Sequence, residues 1–159
     1  MVAKIVFIAK DYFAKNAGFV EMLNAGDVNI QSTRLYLSIN SKFKGNSFYL
    51  PLRKSVNLDI GRIGYHVPSS TRTDAGLDYR KALIVNDCVY VQGTTSVPIS
   101  SSQMNRITKD LQTIENSFIN YVKGYIKAAR KKREKIDRLY KYSTLHNFHI
   151  ELGIDEHLL

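Results

Sequence analysis

Residues 48–81 read FYLPLRKSVNLDIGRIGYHVPSSTRTDAGLDYRK, and the predicted fold is built outward from this stretch. Its apolar start predicts a β-strand, in which Pro51 indicates a sheet edge or the strand's end because proline cannot donate a ladder hydrogen bond. Arg53, Lys54 and Ser55 follow at once. Two cations and a hydroxyl at a rigid strand end that is open to solvent suit the binding of a phosphate. The alternative is a solvated strand end with no chemistry.

A second β-rich run, residues 34–39, precedes this strand and is predicted to form a hairpin with it. The two runs are separated by residues 44–46, Lys-Gly-Asn, which are a turn signal. Arg34 begins one arm and Arg53 ends the other, so antiparallel pairing places both at the open end of the hairpin. We therefore group Arg34 with the polar triplet as a candidate site.

Residues 56–75 are rich in glycine, serine and threonine and predict a long loop, which in a small domain is often functional. His66 lies in this loop. Histidine exchanges protons near neutral pH, so His66 is a candidate acid or base, although a lone loop histidine is more often only solvated. Two further strands are predicted at residues 82–86 and 88–92, and the second contains Cys88, the single cysteine.

The strongest secondary-structure pattern is an apolar stripe in the last third of the chain. A stretch rich in Gly, Thr, Ser and Pro ends at Ser102 as a helix N-cap. Beyond it, apolar side chains recur every three or four residues, which is typical of a long helix packed on a core. They are Met104, Ile107, Leu111, Ile114, Phe118, Tyr121 and Tyr125. We expect the helix to continue past Gly124 into a run of Lys and Arg, which are good helix formers.

Positive charge is concentrated in one segment. The chain has a net charge of +9, and residues 123–141, with nine Lys or Arg against two acidic residues, account for +7. Like charges at this density repel one another unless a polyanion lies alongside, so we interpret the segment as an RNA-binding surface. The alternative is a solvated helix face. The candidate RNA-binding residues are Lys123, Lys127, Arg130, Lys131, Lys132 and Arg133, together with Arg72 and Lys81.

Composition and motifs argue against several other classes. At 159 residues a single domain is expected. One cysteine permits neither an intrachain disulfide nor a thiolate cluster, which is typical of a cytoplasmic protein. The apolar N-terminus is broken by Lys10 and is too short for a membrane span. His146 and His149 lie three residues apart without further ligands beside them, so no metal and no cofactor is predicted.

The residues alone therefore predict a small basic α+β domain that binds RNA. Two rival interpretations stay open at this point. One is a non-catalytic RNA-binding domain, in which the polar triplet is part of the binding groove. The other is a DNA-binding regulator, although the β-rich centre argues against a helix-turn-helix reader.

Three stretches resemble the toxins of type III toxin–antitoxin systems, the group that includes ToxN/AbiQ, CptN and TenpN. They are FYLPLRKS at residues 48–55, GLDYRKALIV at 76–85 and YKYSTLHNFHIELGI at 140–154. The second and third are most similar to the TenpN branch, and with the order of elements the resemblance covers nearly the whole chain. Where the ToxN branch has Thr-Ser-x-Lys after the proline, this chain has the triplet 53–55.

The resemblance implies a metal-independent, sequence-specific endoribonuclease on a compact, strongly twisted antiparallel sheet with flanking helices. It implies inhibition by a repeat-derived RNA antitoxin pseudoknot in a closed protein–RNA oligomer, and a role in phage defence by abortive infection. Single-stranded cellular or phage mRNA is the expected substrate, and a 2′,3′-cyclic phosphate the expected product. The candidate catalytic residues are Arg34, Arg53, Lys54, Ser55 and His66, with Lys54 and His66 open as base or acid.

Overall fold

The computed structural model describes residues 2–56, 62–94 and 99–154. Within these ranges the strands are β1 (Lys4–Ile8), β2 (Tyr36–Ser38), β3 (Phe48–Arg53), β4 (Gly64–His66), β5 (Gly76–Asp78), β6 (Leu83–Ile84) and β7 (Val91–Gly93). The helices are α1 (Lys10–Lys15), α2 (Val28–Gln31) and α3 (Ser101–Arg130), and 3₁₀ turns cover Tyr79–Lys81, Cys88–Tyr90 and Thr144–Asn147. No helix in these ranges is long and apolar enough to cross a lipid bilayer.

The strands form one antiparallel sheet in the order β4-β5-β3-β2-β1-β7, with β6 also paired to β3. β2 and β3 are antiparallel neighbours, with Tyr36 opposite Pro51, so the predicted hairpin is confirmed. α3 packs on one face, where the ring of Phe118 meets those of Phe48 and Tyr79 edge to face. Helices that pack on an antiparallel sheet form an α+β fold, so the predicted fold class is confirmed.

Pro51 lies in the middle of the sheet, so the prediction of a sheet edge is wrong. Its neighbour Leu52 donates its amide to Leu35 O at 2.9 Å, and the residues of β3 alternate between the two flanking strands. The Pro51 nitrogen therefore points away from β2, toward the side of β5 and β6. β5 and β6 are separated by the 3₁₀ turn Tyr79–Lys81, where the chain leaves the sheet. The Pro51 nitrogen, which cannot donate a hydrogen bond, therefore faces a gap between the two strands that pair with β3 on this side.

Two predictions of local structure in the middle of the chain are also wrong. The predicted loop 56–75 contains β4, which pairs with β5; its residues 57–61 lie outside the described residues. Of the strands predicted at 82–92, only β6 and β7 form, and Cys88 lies exposed in a 3₁₀ turn. The side chain of Asp87 accepts a hydrogen bond from Val89 N at 3.1 Å, which stabilises that turn.

α3 begins with a capping box at Ser100, two residues before the predicted N-cap, Ser102, which lies inside the helix. Ser100 Oγ accepts a hydrogen bond from Gln103 N at 3.2 Å, and Gln103 Oε1 accepts one from Ser100 N at 3.4 Å. Residues 95–98 of the predicted N-cap stretch lie outside the described residues. The apolar stripe is buried from Ile107 to Tyr125, so the predicted core-packed helix is confirmed.

α3 ends at Arg130, so the prediction that it continues through the basic run is wrong beyond that residue. Lys132 adopts a left-handed φ of 57°, and the amides of Lys132 and Arg133 donate to carbonyls in the last turn of α3, the hydrogen bonds of a Schellman motif. The chain turns back here, and Tyr140 packs edge to face on Tyr125 with ring centres 5.8 Å apart. The basic segment therefore divides into a helical part and an irregular part.

Candidate active site and nucleic-acid interface

A row of residues crosses the sheet at the open end of the hairpin. Arg53 pairs with Gly76 on β5, and Gly76 pairs with His66 on β4. The β2–β3 register continues past the start of β2 through a 2.9 Å backbone hydrogen bond, which sets Arg34 opposite Arg53. Directly opposed residues lie on the same face of a sheet. Gly76 places no side chain between Arg53 and His66, and a Cβ there would lie 2.6 Å from Tyr65 O.

A buried carboxylate holds Arg53 in place. Asp78 is fully buried, and its Oδ2 accepts a hydrogen bond from Arg53 Nη1 at 2.8 Å. The same carboxylate accepts two more from Arg80, from Nε and Nη2 at 3.1 Å each. The side chains of Arg53 and Arg80 remain 30% and 22% exposed. The Arg53 guanidinium is therefore fixed in orientation while part of it faces solvent.

Four cations surround a cleft of about 380 Å³ at this end of the hairpin: Arg34, Arg53, Lys54 and Arg72. The other lining residues are Ile30, Thr33, Leu35, Leu52, Ala75, Ile99 and Gln103, so no carboxylate lines the cleft within the described part of the chain. Burial lowers the pKa of the Arg34 guanidinium, and the nearby charge of Arg53 lowers it further. Cations that converge in this way attract an anion such as a phosphate.

Ser55 and His66 are not among the residues that line this cleft. Ser55 is exposed and follows Lys54, just past the end of β3. His66 is exposed at the end of β4, in a strand and not in the predicted loop. The structure thus brings Arg34, Arg53 and Lys54 together and leaves the other two candidates beside the cleft. Sequence reasoning missed Asp78 and Arg80; the signal that could have found this pair is a lone acidic residue between Leu77 and Tyr79, two positions before an arginine.

A basic groove runs between α3 and the hairpin turn that joins β2 to β3. It consists of two adjoining hollows of about 450 and 430 Å³, which share Phe43 and Lys123. The cations that line the basic groove are Lys42, Lys44, Lys123, Lys127, Arg130 and Lys131. Phe43 is half-buried among them, and Lys44 Nζ lies 5.9 Å from its ring centre. Cations that flank an aromatic ring are typical of surfaces that bind single-stranded nucleic acid.

Glu115 on α3 fixes the hairpin turn against the helix. Its buried carboxylate accepts hydrogen bonds from Asn40 N at 2.9 Å, Asn40 Nδ2 at 3.0 Å and Ser41 N at 3.2 Å. This contact sets one wall of the basic groove. Sequence reasoning missed residues 42–44 because Lys-Phe-Lys before a turn indicates a groove only once the turn packs on α3.

The other predicted RNA-binding residues are placed differently. Residues 132–133 are exposed beyond the end of α3 and do not line the basic groove, whereas Arg72 lines the cleft. Lys81 donates from Nζ to Glu21 O and Tyr142 O at 2.8 Å and lies 3.5 Å from the Glu21 carboxylate. Burial lowers the pKa of the Lys81 ammonium. Lys81 therefore joins three segments of the protein.

The two C-terminal histidines contact Tyr125 on α3. Tyr125 Oη lies 2.7 Å from His146 Nδ1 and 2.7 Å from His149 Nε2. These contacts tie the C-terminal segment to α3. Across residues 2–56, 62–94 and 99–154, no three His, Cys, Asp or Glu side chains are grouped so that they could hold a metal ion.

Two toxins of known structure have a similar fold. AbiQ, a lactococcal anti-phage endoribonuclease of a type III toxin–antitoxin system, matches with a TM-score of 0.64 at 15% identity over 97% of this chain and 98% of AbiQ. ToxN, from a bacterial type III system in which a non-coding RNA pseudoknot selectively inhibits the toxin, matches with a TM-score of 0.59 at 12% identity over 77% of this chain and 79% of ToxN. No protein-family model and no curated protein sequence matches the chain. At these identities the likeness shows a shared fold, and membership of the TenpN branch stays a prediction.

Proposed function

We propose that this chain is the endoribonuclease toxin of a type III toxin–antitoxin system, with residues 1–159 acting as one domain. The observation that supports this most directly is the cleft of four cations, whose described lining has no carboxylate. It lies on a fold shared with an endoribonuclease along 97% of the chain. A phosphodiester is the substrate group that such a cleft favours.

Cleavage of RNA without a metal needs three events at one phosphate. The ribose 2′-hydroxyl loses its proton and attacks phosphorus, the extra negative charge is stabilised, and the 5′-oxygen takes up a proton as it leaves. The products are a 2′,3′-cyclic phosphate and a 5′-hydroxyl. Arg53, oriented by Asp78, is suited to bidentate contact with the phosphate oxygens, and Arg34 and Lys54 add positive charge.

Proton transfer falls to Lys54 and His66 in this proposal. Lys54 lines the cleft, and His66 lies in the row of Arg53 with only Gly76 between them. Ser55, just past the strand end, would orient a phosphate oxygen or the attacking hydroxyl. The mechanism uses these side chains and requires neither a metal nor another cofactor.

The basic groove is the proposed contact surface for the RNA antitoxin, a repeat-derived pseudoknot that the toxin cuts from its precursor and then retains in a closed protein–RNA oligomer. The groove and the cleft lie at opposite ends of α3: Gln103 lines the cleft and Lys127 the groove. At 1.5 Å per residue they are roughly 36 Å apart along the helix. Free toxin would cleave cellular or phage mRNA in the cytoplasm, which would act in phage defence by abortive infection.

Cleavage of single-stranded RNA by the purified protein in EDTA tests the proposal. We expect 2′,3′-cyclic phosphate ends, and a loss of roughly 10²–10³ in rate for Arg53→Ala or Lys54→Ala. Lys109→Ala is the control, since Lys109 is an exposed cation on α3 that lines neither the cleft nor the basic groove. A requirement for divalent metal or the appearance of 5′-phosphate ends would contradict the mechanism. Wild-type rates for both cleft variants would move the active site elsewhere.

A non-catalytic RNA-binding domain is the second candidate function. It is favoured by the basic groove, which combines six cations with an aromatic ring and needs no reacting group to hold RNA. The same assay separates the two functions, because a binder would retain RNA without cutting it.

A further inference from the structure

A second hollow continues from the cleft across the sheet. It has a volume of about 480 Å³ and is lined by Phe7, Ser32, Thr33, Leu35 and Gln92. Thr33 and Leu35 also line the cleft of four cations, so the two spaces adjoin. We call this second space the β1 hollow.

The register of the sheet places the side chains of the β1 hollow on one face. Phe7 on β1 stands opposite Gln92 on β7. The β1–β2 register, continued by one residue, sets Phe7 opposite Leu35, and the 2.9 Å backbone hydrogen bond sets Leu35 opposite Leu52. With strands about 4.8 Å apart, the row from Gln92 to Leu52 is roughly 14 Å long. This row leads from the cleft to the β7 edge of the sheet.

The same face is closed elsewhere. Nearer the hairpin turn Leu37 and Leu50 are completely buried. α3 begins on the β4 side of the cleft, where Gln103 Nε2 donates to Val67 O at 2.8 Å. The row of the β1 hollow, by contrast, is half-buried at its apolar positions and exposed at Gln92. An apolar surface is thus left open directly beside a concentration of positive charge.

We propose that the β1 hollow binds an unpaired base of the RNA whose phosphate lies in the cleft, an inference that rests on the proposed function. Phe7 supplies an aromatic ring and Leu35 an apolar surface, and unpaired bases are commonly held by stacking on an aromatic side chain. The adjoining cations select an occupant that joins a planar apolar group to a phosphate. A nucleotide within an RNA strand has this combination.

Polar groups surround the apolar surface and give the hollow a means to distinguish bases. The exposed amide of Gln92 offers both a donor and acceptors. The hydroxyls of Ser32 and Thr33 donate to Asn29 O at 3.0 Å and Ile30 O at 2.8 Å, so they present acceptor lone pairs to a ligand. Base pairing hides the edge that these groups would contact, so the bound nucleotide must be unpaired.

Photo-crosslinking of a short RNA that cannot be cleaved tests this site. A 2′-fluoro tetranucleotide with one 5-iodouracil lacks the attacking hydroxyl and crosslinks to an aromatic ring on which that base stacks. Trypsin releases Phe7 in the peptide IVFIAK, residues 5–10, where it is the only aromatic residue. We expect the crosslink on this peptide, its loss in Phe7→Leu, and its retention in the control Tyr142→Leu, which removes a ring that is 50% exposed and outside the hollow.

Two further measurements separate this inference from the nuclease activity. Gln92→Ala should raise the concentration that half-saturates the crosslink by about 2- to 12-fold, the effect of one neutral hydrogen bond. Phe7→Leu should lower kcat/KM for the all-ribose RNA by roughly 5- to 160-fold, the effect of one lost stacking contact. Crosslinks on other peptides with none on residues 5–10 would overturn the base site and leave cleavage standing. A crosslink on residues 5–10 without any cleavage of the all-ribose RNA would overturn the nuclease and leave the site.

Discussion

Replacing Asp78 with asparagine should destabilise the protein and slow RNA cleavage, the second effect through Arg53. The substitution keeps the size of the side chain but removes the charge that Arg53 and Arg80 share. Breaking a buried ion pair costs about 3–5 kcal/mol, and we expect about 3 kcal/mol because both guanidiniums retain access to water. For a chain of this length, that loss lowers Tm by roughly 6–12 °C.

The effect on cleavage follows from the geometry of the pair. Losing one preorganised charge contact slows a reaction by roughly 10²–10³, and a loosened Arg53 should lose no more than that. If Asp78 acts on the reaction only by positioning Arg53, Asp78→Asn should add nothing in an Arg53→Ala background. The double variant should then cleave at the rate of Arg53→Ala alone.

The assay is single-turnover cleavage of saturating RNA, at a temperature where circular dichroism shows every variant folded. Asp87→Asn is the matched control, because Asp87 is exposed and caps a surface turn. Arg80→Gln leaves the Arg53–Asp78 pair intact and should keep the wild-type rate. Rate losses that multiply in the double variant, or an Asp78→Asn protein with wild-type Tm and rate, would refute the reasoning.

Three further predictions test the helix end, the C-terminal contacts and the basic segment. Gly124→Ala should destabilise the protein by about 1–3 kcal/mol despite alanine's helix propensity, because the added Cβ would clash with Tyr140 Oη. Chemical denaturation should show that this loss of stability is removed in a Tyr140→Phe background. Burial lowers the pKa of His146, so the stability that the neutral imidazole contributes is present above pH 6.5 and is lost as pH falls through the lowered pKa. His146→Asn should therefore flatten the loss of Tm on acidification. An unchanged dependence of Tm on pH would contradict this. Replacing residues 131–133 with glutamine should weaken RNA binding and reduce its log–log salt slope by about one unit per lost phosphate contact, as filter binding at several salt concentrations would measure.

The sequence by itself determined the elements whose signals are local. The apolar repeat from Met104 to Tyr125 specifies α3, since each step of the pattern lies within one helical turn. The Lys-Gly-Asn turn at residues 44–46 joins two β-rich runs, and it was sufficient to predict the hairpin. That hairpin was in turn sufficient to bring Arg34 and Arg53 to one end, because antiparallel pairing follows from the turn.

Only the tertiary structure decided the contacts between residues far apart in sequence. Arg53 and Asp78 are 25 positions apart, and their pairing depends on the register of β3 with β5. Ser41 and Glu115 are 74 positions apart, and their hydrogen bond creates one wall of the basic groove. Good helix formers surround Lys132, yet the chain turns there so that a later aromatic ring can pack on α3. Such outcomes depend on which long-range contacts bury apolar surface together, and no local window of sequence contains that information.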